Sequence, residues 1–520
     1  MGSFPILSVI LFVPLAGAVG AALLPRAAGW GWALLAALVD LALSILLITQ
    51  FALGASGFQF VEHHDWLPGL GASYALGVDG VSLFLVALNA LLTVIAVGAS
   101  WSVARNGDRS REYFALMMLM SFGMVGVFVA TNLLLFYVFW EVMLFPAYLL
   151  VGMFGGPRRA YAAIKFVIYT AVGSLLMLVG IIAVGVLVSN ASGTPFNLDL
   201  TALLAHGVTG LSRTAQIWLF LAFSGAFAVK VGLFPFHSWV PDAYSQSPVP
   251  VVVLIAGVMA KSGAYGFVRF DLGLFPAASS ALTPLLSILA VIGILYFALQ
   301  ALVAQDFMRL VAYISISHMC VIVLGTFALN TQGVEGAILQ MVNHGIVIAA
   351  LFLIAGSIER RTASRRLADF GGLATKLPWL ATAFMIVALS ALGLPGLNSF
   401  AGEFLAFLGA FNANVVFGVL GTLVVIPAAW YMLRFFQGVT EGPPTALVEA
   451  AAAPGEGTGA MGGRLHDLRW GELAVLLPLI ALIVALGIVP GALTVRMEPS
   501  VLHLLPSSVP HILQSVPLGH

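Results

Sequence analysis

Long apolar segments dominate this sequence and restrict it to one class of fold. Hydrophobic residues make up 61% of the 520 residues and only 8% are charged, whereas soluble proteins are about half apolar and a quarter charged. Apolar segments of about 20 residues span a bilayer as helices, because a helix satisfies its own backbone polar groups in lipid. We therefore predict an integral membrane protein of the all-α class.

Fourteen segments of this kind predict about 14 transmembrane helices. Their centres lie near residues 14, 41, 90, 121, 142, 175, 227, 260, 292, 318, 345, 393, 424 and 483. The formal net charge is zero, so the composition gives no indication of nucleic-acid binding. The single cysteine, Cys320, provides neither an intrachain disulfide nor a metal cluster. Because the sequence contains no cofactor motif, we expect no redox centre and no metal on this chain.

Four charged residues interrupt the apolar segments: Glu141, Lys230, Lys261 and Glu403. An isolated charge near a bilayer centre costs about 2.5–3.5 kcal/mol on insertion scales. Charges retained at such a cost are typical of residues that move ions or protons. They are the first candidate site residues.

These residues have the chemistry of a proton relay. Desolvation disfavours the charged form of a buried lysine and a nearby carboxylate favours it, so a carboxylate that moves loads or unloads the lysine. We expect Glu141 and Lys230 to form such a pair. Lys261 is then a second carrier, and Glu403 is the terminal carboxylate. Since imidazole titrates near neutral pH, further relay candidates are His237, His318 and His344, together with Lys165.

Each of these residues also has a structural alternative. Glu141 is suited to pairing with any buried base, and the lysines are suited to snorkelling toward the membrane surface. For Lys165 the two interpretations have equal support. His318 and His344 are each suited to a hydrogen-bonded place in the core, and His237 is suited to capping backbone groups. Asp40, alone in its apolar segment, is assigned a local structural role.

Two apolar segments are interrupted by proline and glycine. The first interruption is PFHSWVP at 235–241, and the second is GLPG at 393–396. Proline removes a backbone donor and breaks a helix. Paired broken helices are typical of inverted-repeat transporters. We therefore expect two inverted five-helix repeats, with the seventh and twelfth helices broken.

This pattern divides the chain into four regions. We expect helices 1–3 in residues 1–111, a first repeat of helices 4–8 in 112–272, and a second repeat of helices 9–13 in 273–440. Residues 441–520 are expected to hold a flexible cytoplasmic loop and helix 14, because the segment 441–463 is rich in glycine, alanine and proline.

The positions of lysine and arginine predict the orientation, because cytoplasmic loops carry an excess of both. Most of the 21 Lys and Arg residues lie in loops after odd-numbered helices, whereas Arg213, Arg269 and Arg496 lie on the opposite side. Both termini are therefore expected on the non-cytoplasmic side.

The segments around the charged residues resemble a known family. They read LLLFYVFWEVMLFPAYLLVG, AVKVGLFPFHSWVPDAYSQSPVP, VMAKSGAYGFVRF and LGLPGLNSFAGEF. They are similar to the antiporter-like membrane subunits of respiratory complex I, a family that includes subunits of multisubunit cation/proton antiporters and membrane-bound hydrogenases. The resemblance covers the chain from helix 1 to helix 14 and implies fourteen helices with two inverted repeats.

The resemblance also implies roles for individual residues. Glu141 matches the helix-5 glutamate of the family, Lys230 the helix-7 lysine and Lys261 the helix-8 lysine. Glu403 stands at the helix-12 position, where L-type and N-type subunits usually have lysine, so a glutamate there resembles the M type (chain 4). The short segment after helix 14 also favours the M type over the L type.

An M-type subunit implies proton translocation within an NADH–quinone oxidoreductase of a cell inner membrane. L-type and N-type antiporter-like subunits and lipids are then the expected neighbours. FMN, iron–sulfur clusters and quinone are expected in partner subunits. Three alternatives stay open: a subunit of a cation/proton antiporter or membrane-bound hydrogenase, a stand-alone secondary transporter, and a scaffold that moves no protons.

Overall fold

Helices build almost the whole fold. The structure, a computed structural model, describes residues 4–206, 208–452 and 465–505. Within them, twelve helices are long and apolar enough to cross a membrane, and two shorter apolar helices cover Leu83–Ala99 and Pro378–Ala391. The predicted apolar centres fall in helices, except those near 393 and 424, which fall in short turns. The prediction of a helical membrane protein is therefore confirmed.

The elements follow one another in this order. The N-terminal part contains α1 (Ile6–Leu23), α2 (Arg26–Gln50), β1 (Gln59–Leu67), β2 (Ala72–Val78), α3 (Leu83–Ala99) and α4 (Trp101–Asn106). Next come α5 (Ser110–Val129), α6 (Leu133–Phe154), α7 (Arg159–Ser192), α8 (Leu200–His206), α9 (Arg213–Val231) and α10 (Trp239–Gln246). One helix, Val249–Leu272, then contains α11 (Val249–Leu254), a π-helical segment Ile255–Met259, α12 (Ala260–Gly266) and a second π-helical segment Phe267–Leu272.

The second half continues in the same way. It contains α13 (Pro276–Val303), α14 (Phe307–Thr326), α15 (Thr331–Thr362), α16 (Pro378–Ala391), α17 (Asn398–Ala413), α18 (Val415–Thr422), α19 (Val425–Thr440), α20 (Ala446–Ala452), α21 (Trp470–Ile488) and α22 (Gly491–Leu504). Short 3-10 helices occupy Pro68–Leu70, Val208–Gly210, Leu367–Asp369 and Leu373–Thr375.

Polar residues directly before the apolar segments start several helices. The side chain of Asn132 accepts two hydrogen bonds from backbone N–H groups at the start of α6. Asp306 does the same for α14, and Asn330 accepts one such bond at the start of α15. These caps satisfy donors that a helix leaves open in its first turn. The starts of these helices therefore follow directly from the sequence.

The innermost helices carry three of the candidate relay residues, Lys261, His318 and His344. The most apolar 18-residue windows of Val249–Leu272 and Thr331–Thr362 are entirely buried, and that of α14 is 89% buried. By contrast, only 17% of the corresponding window of α21 is buried. The outer helices therefore surround the inner ones, which keeps polar side chains on the inner helices away from lipid.

The all-α prediction is wrong in one place, because β1 and β2 form a two-stranded antiparallel sheet between α2 and α3. Glu62 on β1 accepts from the backbone N–H of Leu7 in α1 (2.9 Å). The backbone N–H of Thr131, just before α6, donates to the carbonyl of Ala75 on β2 (2.9 Å). The hairpin thus joins the start of α1 to the start of α6. A period-two pattern over so few residues is weak beside long apolar segments, which is why sequence analysis missed it.

In the C-terminal region, two helices lie where the sequence predicted none. α20 falls inside the expected flexible loop 441–463, of which residues 453–463 lie outside the described residues. α22 follows the last apolar helix, and the Oγ of Ser500 accepts from the backbone N–H of Gly80 (2.9 Å). A Cβ at Gly80 would lie 2.1 Å from the carbonyl oxygen of Arg496, so glycine is required for this close approach. α22 therefore packs on the loop before α3. The end of the fourth predicted region, 506–520, also lies outside the described residues.

Both predicted helix interruptions are present. The first separates α9 from α10, and the second separates α16 from α17. Gly232 (φ 78°) follows α9 and Gly393 (φ 71°) lies just after α16, both in the left-handed conformation that favours glycine. The interruptions therefore begin at residues suited to ending a helix.

A buried ion pair joins the N-terminal helices to the inner ones. Arg269 Nη2 lies 2.5 Å from Asp79 Oδ1, and each side chain is 4% exposed. The same Asp79 oxygen accepts from the backbone N–H groups of Val81 (3.1 Å) and Ser82 (3.2 Å), just before α3. Arg269 is therefore an interior residue of Val249–Leu272 rather than the surface charge that the orientation argument assumed.

Removal of Asp79 should destabilise the protein strongly. Asp79→Ala leaves Arg269 buried without its partner, a change that typically costs about 3–5 kcal/mol. We expect a lower thermal unfolding temperature in detergent and a lower yield of folded protein. Asp65→Ala is the matched control, since Asp65 lies exposed on β1. Equal unfolding temperatures for the two variants would contradict the importance of this pair.

Candidate functional site

Lys261 and His344 meet in the centre of the fold. Lys261 is fully buried on α12, just after the π-helical segment Ile255–Met259. Its Nζ donates to the carbonyl of Ala256 in that segment (2.6 Å) and lies 2.7 Å from His344 Nδ1 on α15. π-helical turns are frequent at functional sites. A lysine nitrogen in hydrogen-bond contact with an imidazole nitrogen is placed to exchange a proton with it.

The contacts continue from His344 to Glu403. The imidazole rings of His344 and His318 stack with centroids 5.6 Å apart and planes inclined by 22°. His318 Nδ1 lies 2.7 Å from Glu403 Oε1, and these two side chains are only 10% and 15% exposed. The structure thus aligns four predicted residues, which we call the axial row: Lys261, His344, His318 and Glu403.

Amide side chains that sequence analysis missed hold the end of the axial row. Gln340 Nε2 donates to Glu403 Oε1 (2.9 Å), and Asn343 Nδ2 donates to the carbonyl of Asn398 at the start of α17 (2.7 Å). Gln340 and Asn343 lie four residues and one residue before His344 on α15. Positions four apart share a helix face. A cluster of polar residues inside an apolar helix is the signal that would have identified them.

Glu141 and Lys230 both lie in the interior but do not bond to each other. Lys230 is 1% exposed, and its Nζ has no hydrogen-bond partner among the described residues. This Nζ lies 4.8 Å from the centroid of the Trp140 ring, which is a cation–π distance. Glu141 Oε1 is also buried without a partner in the described part of the chain. The expected pair therefore forms no direct hydrogen bond or ion pair among the described residues.

The helices of Lys230 and Lys261 pack directly against each other. A Cβ added at Gly263, two residues after Lys261, would lie 3.0 Å from the Cβ of Lys230 and 2.9 Å from the carbonyl oxygen of Phe227. Glycine therefore allows α12 to approach the backbone of α9 at the level of Lys230. This contact places the two lysines on adjoining helices.

Lys165 belongs to an ion-pair cluster that sequence analysis did not identify. Its Nζ lies 2.8 Å from Asp242 Oδ2, and Arg309 Nη2 lies 2.7 Å from Asp242 Oδ1. Asp242 is on α10, directly after the first helix interruption. Asp242 is the single acidic residue in the segment AVKVGLFPFHSWVPDAYSQSPVP, and its charge is the signal in the sequence that could have identified this cluster.

His237 lies within the first interruption and packs among aromatic rings. Its ring centroid is 4.7 Å from that of Phe297 and 5.5 Å from that of Tyr296. Its Nδ1 has no hydrogen-bond partner among the described residues. The structure therefore does not place His237 in the axial row.

The chemistry available at this site is proton transfer. The axial row joins an amine, two imidazoles and a carboxylate, all of which bind and release protons. Within residues 4–206, 208–452 and 465–505, no group of three or more His, Cys, Asp or Glu side chains is placed to hold a metal ion.

Family models match most of the chain. One described as "NADH:quinone oxidoreductase/Mrp antiporter, TM" matches residues 130–426, a range that contains Glu141, Lys230 and the axial row. Another, described as "NADH-ubiquinone oxidoreductase chain 4, amino terminus", matches residues 32–127. The fold and the site are therefore those of a membrane subunit of the NADH:quinone oxidoreductase and Mrp antiporter class.

Relatives that match almost the whole chain narrow this class to one kind of subunit. "NADH-quinone oxidoreductase subunit M" of Rhodobacter capsulatus is 38% identical over 510 residues, which are 96% of both chains. The protein of the same name from Mycobacterium tuberculosis is 38% identical over 534 residues, covering 96% of this chain and 94% of the relative. This chain therefore belongs to the family of NADH-quinone oxidoreductase M subunits, which are membrane subunits of complex I, as the resemblance of its motifs predicted.

Solved structures share the fold. A chain of "Respiratory complex I from Thermus thermophilus with bound NADH" superposes with a TM-score of 0.83 at 32% identity, covering 97% of this chain and 100% of that chain. A chain of the Mrp complex from Dietzia sp. DQ12-45-1b superposes with a TM-score of 0.84 over 98% of both chains. At 22% identity the second likeness shows the fold alone. Both solved chains come from multisubunit membrane complexes, and this chain is a subunit of such a complex.

An added methyl group at Gly402 should disturb the end of the axial row. A Cβ at Gly402 would lie 2.6 Å from Gln340 Oε1 and 2.9 Å from Gln340 N, so α15 and α17 would have to separate. We expect Gly402→Ala to destabilise the protein by about 1–3 kcal/mol through overpacking. Differential scanning fluorimetry in detergent measures this as a lower unfolding temperature.

Gly438→Ala is the matched control for this prediction. Gly438 lies in α19, and nothing lies within 4 Å of an added Cβ. The control should be neutral or slightly stabilising, because alanine favours a helix over glycine. If Gly402→Ala were as stable as Gly438→Ala, the close contact between α15 and α17 would be refuted.

Proposed function

We propose that this subunit moves protons through the axial row, driven by redox chemistry in other subunits of a proton-translocating NADH–quinone oxidoreductase. The observation that carries the proposal is the continuity of the row. Lys261 contacts His344 at 2.7 Å, the two imidazoles stack, and His318 contacts Glu403 at 2.7 Å. Three of these four titratable groups lie on the most buried helices, where they serve no structural purpose that apolar side chains would not serve as well.

Glu141 and Lys230 act in this proposal as the control point of the relay. Lys230 lies beside Trp140 with no hydrogen-bond partner among the described residues, and Glu141 Oε1 is equally free there. Approach of the carboxylate favours the charged lysine, and withdrawal favours release of its proton. Glu141 is thus the modulator, Lys230 and Lys261 are carriers, and Glu403 is the terminal group.

Lys165 and His237 are further members of the relay in this proposal. Asp242 holds Lys165 at the end of the first interruption, inside which His237 lies. A carboxylate shared by Lys165 and Arg309 can release one of them as the local charge changes. This cluster is therefore suited to supplying protons to the region around Lys230.

The proposed architecture has fourteen membrane-crossing helices and two inverted five-helix repeats. The twelve long helices supply most of them, and Leu83–Ala99 and the interrupted α16–α17 pair supply the rest. The repeats are assigned to 112–272 and 273–440, with the N-terminal helices in 1–111 and the loop and last helix in 441–520. The two interruptions, each in the fourth helix of its repeat, support this assignment.

The proposed setting is a cell inner membrane, with both termini on the non-cytoplasmic side. L-type and N-type antiporter-like subunits and lipids are the proposed neighbours. FMN, iron–sulfur clusters and quinone are assigned to partner subunits, and this chain is assigned no cofactor. The names of the relatives and the excess of lysine and arginine in alternate loops support these assignments.

A subunit of a cation/proton antiporter is the second candidate function. It is favoured by the likeness in fold to the chain of the Mrp complex. Glu403, where lysine is usual in that group by resemblance, argues against it. Purification of the chain with its natural partners decides between the two, because flavin and iron–sulfur subunits should accompany it only in an NADH–quinone oxidoreductase.

Loss of the Glu141 carboxylate or of the Lys230 amine should abolish coupled pumping without preventing assembly. We expect Glu141→Ala and Lys230→Ala complexes to form but to give no NADH-driven acidification of inverted membrane vesicles, because the relay loses its control point. Quinone reductase activity and a pH-sensitive dye are measured in the same vesicles.

Glu112→Ala provides the matched control, because Glu112 lies on α5 with a side chain that is 51% exposed. It should pump normally. Normal pumping together with normal quinone reductase activity in assembled Glu141→Ala would refute the proposed role of Glu141. It would also favour a subunit that is only a scaffold.

A further inference from the structure

A second group of buried polar side chains lies outside the axial row, in the N-terminal helices. Asp40 and Ser44 are on α2, Asn89 and Thr93 are on α3, and Ser121 is on α5. Each is at most 1% exposed. We call these five residues the N-terminal polar cluster.

Hydrogen bonds join part of this cluster. Asn89 Nδ2 donates to Ser121 Oγ (3.0 Å), and the hydroxyls of Thr93 and Ser121 lie 2.9 Å apart. Thr93 Oγ1 also donates to the carbonyl of Asn89 (2.7 Å). Four atoms have no partner among the described residues: Asp40 Oδ1, Asp40 Oδ2, Ser44 Oγ and Asn89 Oδ1. The two oxygens of an ionised carboxylate and the amide oxygen only accept, so the group they lack is a proton donor or a cation, whereas the Ser44 hydroxyl can also donate.

Helix packing places Asp40 and Asn89 at the same depth. Trp30 Nε1 near the start of α2 donates to the carbonyl of Val97 near the end of α3 (3.0 Å), so these helices run antiparallel. Asp40 lies ten residues after Trp30, and Asn89 lies eight residues before Val97. At 1.5 Å per residue these offsets are about 15 and 12 Å in the same direction. The two side chains therefore lie at nearly the same level.

α5 brings Ser121 to this level as well. A Cβ at Gly17 of α1 would lie 2.9 Å from Ala36 Cβ and 2.6 Å from Met118 Cε, so Ala36 on α2 and Met118 on α5 are level. Asp40 is four residues beyond Ala36, and Ser121 is three residues beyond Met118. The unpartnered carboxylate is thus level with the hydrogen-bonded part of the cluster.

No fixed positive charge lies near Asp40 in the helices that pack around it. α1 and α3 contain no charged residue along their described lengths. On α5, Arg111 and Glu112 lie in the first turn, about 15 Å before Ser121. Arg26 begins α2, about 21 Å before Asp40. An ionised carboxylate that is buried without a partner is strongly unfavourable, so its charge must be neutralised by a group that binds there.

We propose that the N-terminal polar cluster is a second site for a monovalent cation, a proton or Na⁺, held by the carboxylate of Asp40 together with the oxygens of Ser44 and Asn89. A proton on Asp40 gives an O–H group, and Asn89 Oδ1 is an unpartnered acceptor at nearly the same level. Na⁺ takes the same oxygens as ligands. The site does not depend on the proposed proton relay, and it replaces the structural role that the sequence assigned to Asp40.

The site and the axial row are linked by one helix, α3. On a face of α3 adjoining that of Asn89, a Cβ at Gly345 would meet Leu88 Cδ2 at 2.6 Å, and one at Gly257 would meet Leu92 Cδ1 at 2.4 Å. Gly345 follows His344, and Gly257 follows Ala256, the acceptor of Lys261. A helix with its side chains is about 10 Å across. Gain or loss of the cation therefore changes the electrostatic potential at the axial row. The change is only weakly screened, because water is largely excluded from the region between them.

Infrared spectroscopy of the assembled, purified complex tests the proposal. Wild-type, Asp40→Asn and Asp65→Asn complexes are compared in Na⁺-free buffer and in buffer containing NaCl. Radioactive Na⁺ binding is measured on the same samples. Asp65→Asn is the control, because Asp65 is exposed on β1.

Each outcome supports or overturns the proposal. A protonated-carboxyl C=O band that is lost only in Asp40→Asn, with or without Na⁺, identifies the cation as a proton. A carboxylate band that replaces it when Na⁺ is added, with one Na⁺ fewer bound by Asp40→Asn, identifies the cation as Na⁺. If Asp40→Asn loses only carboxylate bands in Na⁺-free buffer and binds as much Na⁺ as wild type, Asp40 is ionised without a cation and the proposal is overturned.

A second variant, Asn89→Leu, tests the proposal if the Asp40→Asn complex does not assemble. Asn89→Leu keeps the carboxyl group but removes its expected acceptor or ligand. It should shift the carboxyl C=O band or weaken Na⁺ binding. No change in either measurement overturns the proposal.

Discussion

The structure depends on how ionisable side chains are kept inside a protein that itself lies in lipid. A buried charge is tolerated when another polar group or an aromatic face lies against it. Lys261 has the carbonyl of Ala256 and His344, Arg269 has Asp79, and Lys230 has the ring of Trp140. Lys261 and Arg269 lie on Val249–Leu272, which the outer helices separate from the lipid, and Lys230 lies on α9, which packs directly against it.

Local departures from regular helix make these contacts geometrically available. The π-helical segment Ile255–Met259 supplies the carbonyl that Lys261 uses. Gly263 and Gly402 allow helices to approach until their backbones nearly touch. The second interruption brings the start of α17 against Asn343. The irregular parts of the fold are thus the parts that arrange the axial row.

Sequence analysis found the features that rest on composition and on single unusual residues. A charged residue in an apolar segment can be recognised from the sequence alone. The candidates Glu141, Lys230, Lys261 and Glu403 were identified in this way. Contacts between distant segments are not visible in this way. The sequence therefore did not reveal that Arg269 pairs with Asp79, that Lys165 pairs with Asp242, or the order of His344 and His318 in the row.

The hairpin and α22 were missed for a different reason. Both are short, and their side-chain patterns are weak beside segments of 20 apolar residues. Asp40 was recognised as unusual but was interpreted as an isolated residue, because its relation to Asn89 and Ser121 depends on how α2, α3 and α5 pack. Burial and hydrogen-bond partners, which only the structure gives, changed that interpretation.

Passage of protons along the axial row is best tested at His344, which links Lys261 to His318. The measurement is the number of protons pumped per NADH oxidised by proteoliposomes that contain the assembled complex, either wild type or His344→Leu. We expect the His344→Leu complex to assemble and to reduce quinone but to pump fewer protons per NADH, because Lys261 loses its acceptor. An unchanged ratio of protons to NADH in the assembled variant would show that protons do not pass along the axial row.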